Sequence, residues 1–154
     1  MPIESLSHEI MEEALDFAEK SHIDSAWQDY YFDRSILRRN LEGMVGNSNY
    51  FTCVYRKQGV IVGYFFATLG VFLFSDVLLG MESGIYIDKE HRGGSVAFKM
   101  FRAFTDWCQK MNAEPLVEIY FGTDGDNEKT YQFFRKAGMF ECGRVFRGGR
   151  NGLR

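Results

Sequence analysis

Ile85-Tyr86-Ile87-Asp88-Lys89-Glu90-His91-Arg92-Gly93-Gly94-Ser95-Val96-Ala97 decides how this chain is read. Its first residues continue an alternating pattern of β-branched and aromatic side chains that marks a strand. From Ser95 onward the apolar residues Val96, Ala97, Met100, Phe101, Phe104, Trp107, Cys108 and Met111 recur at helical spacing, with Lys99, Arg102, Asp106, Gln109 and Lys110 between them. Small residues thus stand where a strand turns into a helix. The N–H groups of that helix's first turn have no partner within the helix and face outward, backed by the positive end of the helix dipole. A turn of this build suits an anion. Two glycines also serve ordinary tight connections, so the pair alone is a weak signal. No Gly-Lys-Ser/Thr follows them, which excludes the phosphate loop of nucleotide triphosphatases, and the Gly-x-Gly-x-x-Gly dinucleotide pattern is missing.

Working outward, Leu6, Ile10, Met11, Ala14, Leu15 and Ala18 predict a first amphipathic helix with Ser5 or Ser7 as cap. Ile36, Leu37, Leu41, Met44 and Val45 predict a second, starting after Asp33. Strands are predicted over 50–56 and 60–69, joined as an antiparallel hairpin by Lys57-Gln58-Gly59. Residues 71–79 either extend this hairpin or form an irregular excursion, and the next strand is predicted over 82–87. After the long helix, a strand over 116–121 runs parallel to its predecessor, because the helix carries the chain back across the sheet. A short helix over 126–137, stopped by Gly138, and a last strand over 140–146 complete an α/β mixed sheet with helices on both faces.

The strand-to-helix turn resembles the Gln/Arg-x-x-Gly-x-Gly/Ala pyrophosphate loop of the GNAT superfamily of acyl-CoA-dependent N-acetyltransferases. Arg92 stands at the basic position, Ser95 at the first small position and Ala97 at the second. Ser95 departs from the usual glycine or alanine, yet it leaves room for a diphosphate. The likeness continues through the flanking strand and helix and the strand over 116–121. It extends to Asn127, Lys136, Gly138 and Met139, which match the Asn, Lys, Gly and Phe of the family's closing helix-turn. The wording of residues 82–94 is most similar to the small GNAT proteins carried by tailed bacteriophages. The resemblance implies the GNAT fold: a mixed, mostly antiparallel central sheet flanked by helices on both faces, with one strand-helix-strand acyl-CoA-binding unit. It implies a single domain over 1–146, with a flexible Arg/Gly-rich tail at 147–154.

The resemblance also implies acetyl-CoA as cosubstrate. Its diphosphate would lie on the N–H groups of Gly93, Gly94, Ser95, Val96 and Ala97, with Arg92 adding a charge-assisted contact. Ile85 and Ile87 on the strand, Asn127 beside the pantetheine arm and Phe134 on the closing helix would complete the cofactor contacts. The acetyl group would sit where the strand over 82–87 splays from the strand over 116–121. Direct attack by a neutral amine needs a group to remove a proton, and a carboxylate is the usual helper. Glu82 is the first choice, acting through water; strand alternation groups it with Gly84, Tyr86 and Asp88. Glu118 is the reserve. Phe134 occupies the place of the tyrosine with which the family often protonates the departing thiolate, and it has no proton to give. Tyr131, three residues earlier on the same helical face, is the candidate donor. A thiol of pKa about 8.5 leaves tolerably without help. Phe134 and Ser95 also motivate an alternative, an acyl-CoA-binding interaction protein that has lost turnover. The acceptor is not legible, although Trp27, Tyr30, Tyr31 and Phe32 cluster where the family assembles its acceptor pocket.

Composition bounds the remaining classes. A chain of 154 residues is one domain by size, and a net charge of -3 with a pI near 5.6 argues against nonspecific nucleic-acid binding while suiting a cationic amine. Arg144, Arg147, Arg150 and Arg154 crowd the glycine-rich end and read as a solvated tail. Cys53, Cys108 and Cys142 form neither a disulfide framework nor a metal motif, and His8, His22 and His91 form no ligand pair. A reducing, cytoplasmic setting without a metal is expected, in the host cytoplasm if the chain is phage-encoded. Residues 60–75 carry no charge, but sixteen residues with Gly63 and Gly70 among β-branched and aromatic neighbours read as strands, short of the ~20 of a membrane span. An aromatic content of 16%, with Phe72 and Phe74 in one turn region, predicts a homodimer.

Overall fold

The computed structural model describes residues 2–120 and 127–143. Five strands form one sheet in the order β1 (Ile3–Glu4), β2 (Tyr50–Lys57), β3 (Val60–Val71), β4 (Leu78–Ile87) and β5 (Ala113–Leu116). All neighbours are antiparallel except β4 and β5, which are parallel because α3 (Val96–Lys110) carries the chain between them. Helices α1 (Met11–Ile23) and α2 (Arg34–Met44) pack on one face of the sheet. α3 and α4 (Glu128–Lys136) pack on the other. The mixed sheet with helices on both faces is the arrangement that the sequence predicts.

Each face has its own core. Phe65, Phe104, Met100 and Cys108 are almost fully buried beneath α3, and Leu15, Leu41 and Val54 beneath α1 and α2. The alternation of β3 makes this division, since Phe65 and Ala67 point to one core and Phe66 to the other. The β2–β3 turn closes over Gln58 and Gly59, with φ of 53° and 81°. This left-handed pair gives the twist that a two-residue hairpin needs.

Several boundaries differ from the sequence reading. α1 starts at Met11 with Ile10 before it, so neither Ser5 nor Ser7 caps it. Residues 3 and 4 instead pair with Tyr55 and Val54 as an edge strand, and the Leu6 N–H donates to Thr52 Oγ1 at 3.2 Å. The cap at Asp33 stands, its carboxylate accepting from the N–H groups of Ser35 and Ile36. β3 runs on to Val71 and β4 begins at Leu78, so residues 72–77 are a hairpin connection. β5 lies earlier than 116–121: Asn112, at φ 52°, turns the chain straight out of α3 into the sheet, and pairing ends at Leu116. α4 ends at Lys136 and the chain turns at Gly138, φ 87°, where the Met139 N–H donates to the Phe134 carbonyl at 3.0 Å. Residues 140–143 carry no strand. The remainder of the predicted strand over 140–146 and the tail at 147–154 lie outside the described residues.

Candidate active site

The β4–β5 ladder spans only four registered pairs, from Leu78–Ala113 to Met81–Leu116. β4 continues to Ile87, while residues 117–120 leave the sheet. A wedge opens between them, and Glu82 is the first β4 residue past the last pair. Just before it, Gly80 lets α3 press on the sheet: a Cβ there would lie 2.4 Å from Cys108 Sγ and 3.2 Å from the Trp107 ring.

A bulge sets the direction of Glu82. Ala67 pairs with Glu82 and Phe66 with Gly84, which leaves Ser83 as an extra residue in β4. The strict alternation predicted for this strand is therefore wrong. By register Glu82 shares the α3 side with Ala67, whereas Gly84 and Tyr86 share the other side with Phe66 and Tyr64. Burial pushes the Glu82 carboxyl up to about 7, against the bond it accepts from the Glu118 N–H and with some repulsion from the Glu118 carboxylate. Those two glutamates, predicted as base and reserve, thus stand in one wedge.

Three further segments converge on it. Tyr120 donates its hydroxyl to Glu118 Oε2 at 2.5 Å, and this bond, with burial, pushes the phenol up to about 12. Asn127, at the start of α4, donates its amide to the Tyr120 carbonyl at 2.8 Å rather than capping its own helix. From the α1–α2 connection, the Trp27 ring meets the Tyr120 ring edge-on at 5.2 Å and lies 5.9 Å from Tyr30. The aromatic cluster predicted near the acceptor is split: Trp27 and Tyr30 line up with Tyr120, Phe32 packs on His22, and Tyr31 is exposed. Tyr120 is not among the residues that the sequence points to. Its one signal was its place two residues after Glu118.

Beyond the other end of β4, Gly93 has φ 79°, and a Cβ at Gly93 or Gly94 would meet nothing within 4 Å. Ser95 precedes α3 without a side-chain cap, and the first turn holds no acidic residue. The two glycines thus border open space and the first turn carries no acidic side chain, so these residues fit a diphosphate. Val96 is buried as the first core residue of α3, and Ala97 is half-buried. Arg92 is not a free loop cation: its Nε donates to the Ile87 carbonyl at 2.8 Å, and its guanidinium lies 5.4 Å from the Tyr86 ring. Tyr86 in turn donates to Asp24 at 2.7 Å, which ties this loop to the end of α1. Asp24 is held below the usual carboxylate range by that bond and by Lys89.

The family model described as the acetyltransferase (GNAT) family matches residues 6–139. The chain belongs to the GNAT acetyltransferase family. No curated protein matches the sequence. Solved structures match it at low identity over nearly the whole length. An aminoglycoside antibiotic 6'-N-acetyltransferase from Acinetobacter haemolyticus has a TM-score of 0.74 at 15% identity, covering 97% of this chain and 98% of its own. Glucosamine-6-phosphate N-acetyltransferase from Arabidopsis thaliana gives 0.72 at 14%, covering 96% and 97%. A predicted acetyltransferase with acetyl-CoA from Clostridium acetobutylicum gives 0.76 at 11%, covering 96% and 94%. At these identities the likeness speaks for the fold alone.

The remaining GNAT candidates take the following places. Ile85 and Ile87 pair with Phe65 and Gly63 and pack against the α3 core, leaving the far edge of β4 unladdered past Met81. Phe134 is buried, 5.4 Å from Phe101 and 5.2 Å from Phe133, so its ring belongs to the core. Tyr131 is half-buried one turn after Asn127, with the Arg135 guanidinium 5.9 Å from its ring. Among the described residues no hydrogen bond or ring contact joins it to Glu82. Burial pushes the thiols of Cys53 and Cys108 up to about 12 and about 11, which makes both poor nucleophiles. Among the described residues no three His, Cys, Asp or Glu side chains group to hold a metal, and no helix is long and apolar enough to cross a membrane.

Proposed function

We propose that this GNAT chain is an N-acetyltransferase that moves the acetyl group of acetyl-CoA to a primary amine, with Glu82 as general base. The observation that carries the reading is the Glu82 carboxyl, raised to about 7 at the mouth of the β4–β5 wedge. A base works best when its pKa lies near the working pH, and a protein rarely leaves a half-buried carboxyl poised there without use. The N–H groups from Gly93 to Ala97 hold the diphosphate, with Arg92 beside them, and Asn127 and the edge of β4 at Ile85 and Ile87 guide the thioester toward the wedge. The bound cosubstrate supplies an activated acetyl carbon. Glu82, through a water, takes a proton from the incoming amine as its nitrogen bonds to that carbon. The C–S bond then breaks, and the sulfur leaves with the electron pair and gains a proton, for which Tyr131 on α4 is the candidate donor.

The second reading is an acyl-CoA-binding interaction protein with little turnover. Phe134, buried where the family often has its acid, favours it. A chain of this kind would work as a homodimer in the cytoplasm, the host's if its likeness to the phage-carried members holds. Release of free thiol from acetyl-CoA across a panel of amines separates the two readings. Turnover with Glu82→Gln slowed roughly 100-fold or more, and acetyl-CoA affinity kept, is the result expected. Normal turnover in Glu82→Gln with loss in Glu118→Gln would move the base to Glu118. Binding of acetyl-CoA with no thiol release would favour the interaction protein.

A further inference from the structure

We infer that the acceptor carries a second positive charge besides the amine that is acetylated, and that Glu118 receives it while the rings of Tyr120 and Trp27 flank the chain between the two charges. The inference rests on the transferase reading above and names its substrate class.

The geometry is asymmetric. Glu82 is half-buried and accepts from the Glu118 backbone, whereas the Glu118 carboxylate itself is exposed at the outer side of the wedge. One of its oxygens is held by the Tyr120 hydroxyl at 2.5 Å, which fixes the side chain, and among the described residues nothing is bonded to the other. Among the described residues the groups that the electrostatics and hydrogen bonds connect to the pair are acidic or neutral. Tyr64 on β3 feels the Glu82 charge although its side chain lies on the other face, hydrogen-bonded with Ser21; Tyr120 feels it from the segment after β5, and Asn127 joins at the start of α4. Three described cations that border β4 and the loop after it are engaged elsewhere: Lys20 with Asp88 at 2.6 Å, Lys89 with Asp24 at 3.0 Å, Arg92 with the Ile87 carbonyl and the Tyr86 ring. Among the described residues no Lys, Arg or His pairs with Glu82 or Glu118.

Among the described residues one negative charge beside the proposed base is thus left without a cationic partner. With a monoamine in the site, Glu82 must ionise against that charge. An ammonium group seated on Glu118 cancels the repulsion, so a dibasic acceptor brings the charge that lets Glu82 give up its proton at lower pH. The edge-on Trp27–Tyr120 pair fits the methylene chain of such a molecule, and its rings favour a nearby cation.

The test compares 1,4-diaminobutane with n-butylamine, in the wild type and in Glu118→Gln, with melting temperature read for both proteins. The expected kcat/KM ratio is about tenfold or more in favour of the diamine, well above the twofold statistical advantage of two amines, since tenfold needs only one close charge pair. Glu118→Gln brings the ratio to within a few-fold of one and moves the acid limb of the butylamine profile to lower pH; Glu118→Asp restores part of the preference. A ratio of one in the wild type, or an equal ratio in Glu118→Gln, overturns the inference and leaves the transferase reading standing. Diamine affinity for the CoA-loaded protein gives an arm that needs no turnover. Weaker binding by about tenfold in Glu118→Gln supports the second-charge site even if no amine is acetylated, which would overturn only the transferase reading; equal affinities overturn the site.

Discussion

At the scale of single residues, the proposed role of Glu82 as base sets catalysis and stability in opposite directions. Its folded-state carboxyl titrates near 7, against an ordinary value of 4.5, because burial penalises the charged form. The folded protein therefore holds its proton more tightly than the unfolded chain does. Stability contributed by that proton is fully present below about 4.5 and is lost as the pH rises to about 7, where the folded group also ionises. Glu82→Gln keeps a neutral side chain at every pH, so it should melt higher than the wild type at pH 8 and at a similar temperature at pH 4. The gain is bounded by about 3 kcal/mol, from 1.36 kcal/mol per unit, and solvent at the wedge will reduce it. The wild-type kcat/KM should climb through an acid limb near 7, and that limb should vanish in Glu82→Gln. A thermal scan at the two pH values, beside a rate profile, checks both. A melting temperature that falls at pH 8 would mean that the carboxylate is better paired than its single Glu118 N–H suggests. The sequence carried enough to select Glu82, since a carboxylate in a strand next to an anion-binding turn is conspicuous. It carried nothing of the value near 7, which depends on where α3, β3 and the residues after β5 exclude water.

At the scale of elements, two glycines near the ends of the same strand-helix unit should fail in different ways. Gly80 is where α3 meets β4, so Gly80→Val drives a branched side chain into Cys108 and Trp107 and should cost several kcal/mol or prevent folding. Gly94 faces open space with no left-handed φ, so Gly94→Asp should leave the melting temperature of the free protein within about a degree or two. It should still weaken acetyl-CoA binding by roughly tenfold or more, because a carboxylate stands before the N–H groups proposed to receive the diphosphate. Ligand-induced thermal shifts read the second effect. A normal shift in Gly94→Asp would show that the first turn of α3 is not where the anion lies. The same contrast explains what the sequence disclosed about elements. Long periodic runs such as Val96 to Met111 and the β2–β3 hairpin with its Gln58-Gly59 turn were legible, because the side-chain period and the turn chemistry are local. The start of α1, the position of β5 and the bulge at Ser83 were not, because they are set by partners distant in sequence: Tyr55 and Val54 for residues 3 and 4, Leu78 to Met81 for β5, and Phe66 and Ala67 for the bulge. The bulge matters most for chemistry, since one extra residue changes the face on which a predicted base stands.

At the scale of the whole molecule, the wedge and the turn before α3 lie toward the Glu82–Ile87 end of β4, and the β3–β4 connection lies at the other end of the same strand. That connection exposes Phe72, Leu73, Phe74 and Val77 beside Val71 at the end of β3, with Leu73 and Phe74 both more than 80% exposed. It is not a ragged loop: the Phe72 N–H donates to the Val77 carbonyl at 3.0 Å, and the Phe72 and Phe74 rings meet edge-on at 5.7 Å. A shaped apolar turn of this size is uncommon on a monomer, and on symmetry grounds the most frequent way to cover one is a second copy of the same chain. The prediction is a homodimer closed through this connection, with both wedges left open because they lie at the opposite end of the strand. Sedimentation at tens of micromolar should give twice the chain mass of 17.8 kDa. Leu73→Asp with Phe74→Ser should give the monomer, since two newly polar side chains at the centre of an apolar contact oppose burial there. Because these side chains are exposed in the single chain, the double variant should keep the melting temperature of a dilute wild type, where the dimer has dissociated, and should keep its turnover per site. A wild type that sediments as a monomer removes the dimer, and a variant that stays dimeric moves the interface to another face.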